Sequence, residues 1–148
     1  MMARQSGVTL IEVLVAVLVL AVGVLGVSLL QANALKQTDS ALRGTQVSFI
    51  AHDLLERMRA NPDPRYALSS LDQAPAIGQL DQPRNQDLFD FADQLKRAVG
   101  EDVEASVQLT GSQATITLEW DDSRAHALES QPRQRLTVSS HIGPEHWP

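Results

Sequence analysis

Two hydrophobic patterns divide the chain. Val13 to Leu30 contains no charge and only one polar side chain, Ser28, and the apolar character reaches back across Glu12 to Val8. About 20 apolar residues span a bilayer as a helix, so this run is long enough. It is apolar on every side, as a segment in lipid or inside a helix bundle must be. From Leu35 the pattern thins to Leu35, Leu42, Val47, Ile50, Leu54 and Met58, with Leu55 beside them. The last four of that series (Val47, Ile50, Leu54, Met58) step by three or four residues and share one helix face. Asp53, Glu56, Arg57 and Arg59 fall opposite. Gly44 is a mild cost within a helix. The first strong break is Ala60-Asn61-Pro62, where proline biases Asn61 out of the α region. The expectation is one helix from Val8 to about Ala60. Its segment 8–30 is membrane-spanning, and its segment 31–60 is amphipathic and lies on a folded domain, 31–148.

Residues 61–87 hold four of the seven prolines and read as a long loop with one short element near Tyr66 to Leu71. Loops of this length often carry function. A second helix is expected over 88–99, where Leu88, Phe91, Ala92, Leu95 and Val99 make one face. Asp87 and Asp90 favour its amino end, Lys96 and Arg97 its carboxyl end, and Gly100 its stop. Period-two alternation then marks three strands within 103–142: Val103 to Leu109, Ala114 to Trp120, and one anchored by Leu136 and Val138. Thr110 to Gln113 is a turn. The fold class is α+β, a long helix packed on a small antiparallel sheet. Trp120 is expected in the core, and Trp147 either caps the domain or is a contact.

Bulk properties narrow the function. The chain has 148 residues, a formal charge of −6 and no cysteine. It is long enough for one modest domain, and thiolate metal sites and disulfides are excluded. No basic stripe is visible, so a nucleic-acid partner is not expected. His52 and Glu56 stand at helical spacing, but no second histidine lies nearby, and a solvated helix face is the better reading. Glu119, Asp121 and Asp122 are acidic residues around a turn, without the spacing of a calcium loop. His126, His141 and His146 are scattered. No nucleophile elbow or phosphate loop occurs. The chain is therefore expected to have no catalytic residues, metal or cofactor.

Glu12 needs an explanation. A secretory signal would have a shorter apolar run and a better cleavage site. A plain anchor fits the length but leaves the carboxylate without a reason, and an intramembrane acid is by default functional. Gly7-Val8-Thr9-Leu10-Ile11-Glu12, after a short leader containing Arg4, resembles the class III signal of the type IV pilin-like family. The family usually has phenylalanine where Val8 stands. The resemblance implies that 1–7 is a leader, that prepilin peptidase cuts between Gly7 and Val8, and that Val8 is then N-methylated. Glu12, four residues on, would pair with the new amine of its own or a neighbouring subunit. Asp53-Leu54-Leu55-Glu56 followed by Met58-Arg59-Ala60-Asn61-Pro62 resembles the minor pilins of the PilV (type IV pilus modification protein) group. That implies partners among minor and major pilins, the inner-membrane assembly platform and membrane lipid. It also implies a periplasmic domain, a place at the fibre tip, and roles in adhesion and twitching motility. A minor pseudopilin of type II secretion and a tethered periplasmic binding module are the alternatives.

Overall fold

The computed structural model describes residues 9–123 and 133–143. The chain divides into two compact units, one ending at Thr38 and one beginning at Asp39. Helix α1 (Leu10–Ala60) contributes to both. In the first unit every described side chain is exposed. Its hydroxyls are folded onto their own helix: Ser28 Oγ donates to the Val24 carbonyl and Thr38 Oγ1 to that of Ala34, both at 2.9 Å. Ser28, the one polar side chain of the apolar run, is thus satisfied locally.

The second unit is an α+β domain. The end of α1 buries Val47, Ala51, Leu54, Leu55 and Met58, with Ile50 packed at the margin. The stripe read from the sequence is corrected at its start, because Leu35 and Leu42 are exposed. Leu42 precedes Val47 by five residues, about 140° around a helix with 3.6 residues per turn, and so lies off the core face. Phe49 stands two residues from both Val47 and Ala51, about 200° away, and is 71% exposed.

The loop after α1 is shorter and more ordered than expected. Helix α2 is Pro83–Val99, not 88–99. Pro83 occupies the first helical turn, where its fixed φ suits the helix and its missing N–H costs nothing. Where one short element was expected near Tyr66 to Leu71, two 3₁₀ turns stand, Pro64–Tyr66 and Leu71–Gln73. The Asp63 carboxylate accepts from Arg65 N at 2.8 Å and the Ser70 hydroxyl from Asp72 N at 3.3 Å, so each turn has a side-chain cap. Between them Leu68 makes an antiparallel bridge to Val107, with N–H···O distances of 2.9 and 2.8 Å. The loop thereby buries Tyr66, Leu68 and Leu71 in the same core.

Strands β1 (Glu104–Thr110), β2 (Gln113–Asp121) and β3 (Arg133–His141) form one antiparallel sheet in sequence order. The β1–β2 turn places Gly111 at φ +57°, a left-handed value that glycine adopts without strain. Ala105, Val107, Ala114, Ile116, Leu118 and Trp120 point into the core, and Leu136 and Val138 pack at its edge. α2 adds Leu88, Phe91, Ala92 and Leu95.

Candidate functional site

The chemistry-bearing N-terminal segment begins at the edge of the description. Gly7 and Val8, the expected cleavage and methylation positions, lie outside the described residues. The Thr9 carbonyl accepts from Glu12 N at 3.0 Å and from Val13 N at 3.3 Å, so the helix starts immediately after the expected cut. Glu12 sits in the first turn of α1, exposed. A carboxylate is favoured there by the unsatisfied N–H groups of the helix start. Among the described residues no cation reaches it. Beyond it, α1 carries a window of mean hydropathy 3.0, none of it buried within the chain, long and apolar enough to cross a membrane. Gly23 and Gly26 meet no atom within 4 Å of where a Cβ would stand. Their small size thus answers no need of the chain's own packing.

The second sequence motif lies at the junction of α1, the loop and α2. Leu54, Leu55 and Met58 are core residues. Arg57, assigned from the sequence to the solvated face, is instead a bridge. Its Nε donates to Asp53 Oδ2 at 2.8 Å, and its Nη1 donates to Asp87 Oδ1 at 3.0 Å and Asp90 Oδ2 at 3.1 Å. The bond to Asp87 first, and then Asp53, hold the guanidinium above its ordinary value against the opposing effect of burial. The other Asp87 oxygen accepts from the buried Tyr66 hydroxyl at 2.5 Å, and Asn61 Nδ2 donates to that hydroxyl at 3.2 Å. Burial first, then the bond to Asp87, pushes the Tyr66 phenol up to about 12. Arg59 pairs with Glu56, donates to the His141 carbonyl at 2.9 Å, and reaches Ser140. The motif therefore ties the end of α1 to α2, the loop and β3. Asp87 and Asp90, expected to favour the amino end of α2, lie beyond its first turn because the helix opens at Pro83, and they serve Arg57 instead. Sequence reasoning missed this because the partners are 30 positions or more apart, and no local periodicity signals them.

The remaining candidates do not converge. The His52 ring Nδ1 meets the Ser48 carbonyl at 2.8 Å, while Glu56 is taken by Arg59. Glu119 pairs with Arg135, Asp121 accepts from Ser123 at 3.0 Å, and the buried Asp122 accepts from Ser40. Among the described residues no group of three His, Cys, Asp or Glu is placed to hold a metal. His141 Nε2 meets the Ser112 hydroxyl at 2.7 Å, at the end of the sheet. Trp120 is buried as expected, although its indole N–H meets no acceptor among the described residues. His126, His146 and Trp147 lie outside the described residues.

Comparison with known proteins bears on the first of these regions. Residues 2–28 match the family model of the prokaryotic N-terminal methylation motif. The match contains Gly7, Val8 and Glu12 and runs through most of the apolar segment. It supports a type IV pilin-like protein, a pilin or pseudopilin, and with it interaction with other pilins and with prepilin peptidase in general terms. No curated protein and no solved structure matches the chain.

Proposed function

We propose that the chain is a minor pilin of a type IV pilus, an assembly component without catalytic residues, metal or cofactor. The observation that carries this reading is one of coincidence. A methylation motif over residues 2–28 opens an apolar helix with no buried residue in its most hydrophobic window, and that helix continues into a small α+β domain. Prepilin peptidase hydrolyses the Gly7–Val8 amide, which frees the leader carboxylate and the Val8 amine. The amine is then methylated.

Until assembly the helix rests in the inner membrane, with the domain from Asp39 on the periplasmic side. In assembly it exchanges lipid for the helices of neighbouring pilins. The pairing of Glu12 with a Val8 amine sets the register, because an uncompensated charge among apolar helices is costly. Gly23, Gly26 and the exposed Leu42 and Phe49 support such packing, since none of them serves the chain's own core. Likeness of the Asp53–Pro62 stretch to PilV-type minor pilins supports a role in priming the fibre, at its tip, and in adhesion and twitching motility. The partners are then minor and major pilins, the peptidase and the assembly platform.

Mass spectrometry of membrane-extracted chain tests this directly. The expected product starts at Val8 and carries one added methyl group. An intact Met1 start overturns the reading in favour of a tethered periplasmic module. Deletion separates the two fibre systems: loss of surface pili supports the proposal, whereas loss of exoprotein release with pili intact marks a type II secretion pseudopilin.

A further inference from the structure

A polar cavity of about 460 Å³ lies where the loop meets the start of α2, with Asn61, Asp63, Arg65, Asp81 and Arg84 in its wall. The volume is within the range of small-ligand sites. The lining is charged and polar, so an apolar ligand would desolvate it without recompense. Much of the wall is fixed by its own bonds. Arg65 Nε donates to Asp63 Oδ1 at 3.0 Å and Arg65 Nη2 to Asp63 Oδ2 at 2.6 Å. Arg84 Nε and Nη2 donate to the Arg65 carbonyl at 2.9 and 2.5 Å, and Arg84 Nη1 to Asn85 Oδ1 at 2.8 Å. The Asn61 amide is set by its bond to the buried Tyr66 hydroxyl. Other groups of the wall have no partner among the described residues. The Asp81 carboxylate and Asn61 Oδ1 are acceptors left over, and Arg65 Nη1 is a donor left over. The Arg84 guanidinium has only neutral bonding partners.

We infer that this cavity binds a small zwitterion, an α-amino acid, with its ammonium group on Asp81 and Asn61 Oδ1 and its carboxylate on Arg65 and Arg84. Charge complementarity selects that occupant. Both signs line one cavity, yet Asp81 pairs with neither arginine. A lone anion would meet Asp63 and Asp81, and a lone cation would meet Arg65 and Arg84; like charges set together cost affinity. A neutral sugar would leave both charges uncompensated, and no aromatic ring lines the cavity for it to stack on. A zwitterion compensates both at once. The cavity is open to solvent and exposed ion pairs are weak, so saturation is expected at roughly millimolar concentration. The inference goes beyond the pilin reading and does not depend on it.

Nuclear magnetic resonance of the isotope-labelled full chain in detergent micelles tests this, with alanine as the probe and the Asn61 side-chain amide as the reporter. Alanine is expected to move that signal saturably. Asp81→Asn and Arg65→Gln should each weaken binding roughly tenfold, the scale of one lost hydrogen bond to a charged group. Both side chains are exposed, so the core signals of each variant should match the wild type. N-acetylalanine lacks the ammonium group and alanine methyl ester lacks the carboxylate, and each should bind at least about tenfold more weakly than alanine. A shift that grows with alanine and never saturates overturns the assignment. So do wild-type affinity in both variants, equal binding of the two blocked analogues, and tighter binding of glucose or inorganic phosphate.

Discussion

At the scale of single residues, the chain's one tyrosine gives a direct report on the junction of α1, loop and α2. Tyr66 is fully buried and donates to Asp87, whose other oxygen is held by Arg57. Burial and this bond raise the phenol to about 12, against an ordinary value of about 10. A group whose pKa is raised by folding contributes stability that is complete below the unfolded value. For Tyr66 that contribution is present below about pH 10 and is lost as pH climbs toward 12. Tyrosinate absorbance should therefore titrate with a midpoint near 12 in the folded chain and return to about 10 in denaturant. An ordinary midpoint in the folded chain would show that the phenol is not enclosed. None of this was legible in the sequence. Asn61, Arg57 and Asp87 carry no mark that distinguishes them from solvated polar residues, and only the fold brings them to one place.

At the scale of elements, what was legible followed from periodicity. The long helix, the α2 face from Leu88 to Leu95 and the alternation of β2 all depend on near neighbours, and local spacing encodes them well. The loop was less legible because its order comes from caps and from the bridge between Leu68 and Val107, a pairing across distant positions. Pro83 reads as a loop residue beside three other prolines, yet proline also opens helices, as it does here. Helix α1 shows why phase matters more than composition. Leu54 and Leu42 are the same residue on the same helix, yet Leu54 is 1% exposed and Leu42 is 56% exposed. Leu54→Ala should cost about 2–5 kcal/mol, the usual range for a buried leucine. Leu42→Ala should stay within about 0.5 kcal/mol, as exposed changes do. Urea unfolding of the detergent-solubilised chain, followed by tryptophan fluorescence, measures both. Equal costs would mean that the core face has been misplaced.

At the scale of the whole molecule, the anchor and the domain pose different physical problems, and Glu12 is where they meet. The domain closes its own core, from Val47 to Ile142. The apolar part of α1 closes nothing within the chain, and its one polar side chain, Ser28, is satisfied on the helix itself. Glu12 is the exception, a carboxylate at the head of the apolar run with no cationic partner among the described residues. In water such a group needs no explanation. Packed among apolar helices it must be neutralised or paired, since isolated buried charges cost several kcal/mol. Cleavage after Gly7 would supply an amine with a reference pKa of about 8, cationic near neutral pH. Glu12→Ala should then leave membrane insertion and the Val8 start unchanged, because it only makes the helix more apolar. Incorporation into sheared fibres should fall at least about tenfold, since the amine loses its counter-charge. Glu12→Gln should behave alike, because it keeps the shape and removes the charge. Wild-type incorporation of both variants would contradict the pairing. Failure of both to be cut would move Glu12 from subunit register to recognition by the peptidase. The amino-terminal residue of the membrane-bound variant distinguishes these outcomes, and the amount in fibres supplies the magnitude.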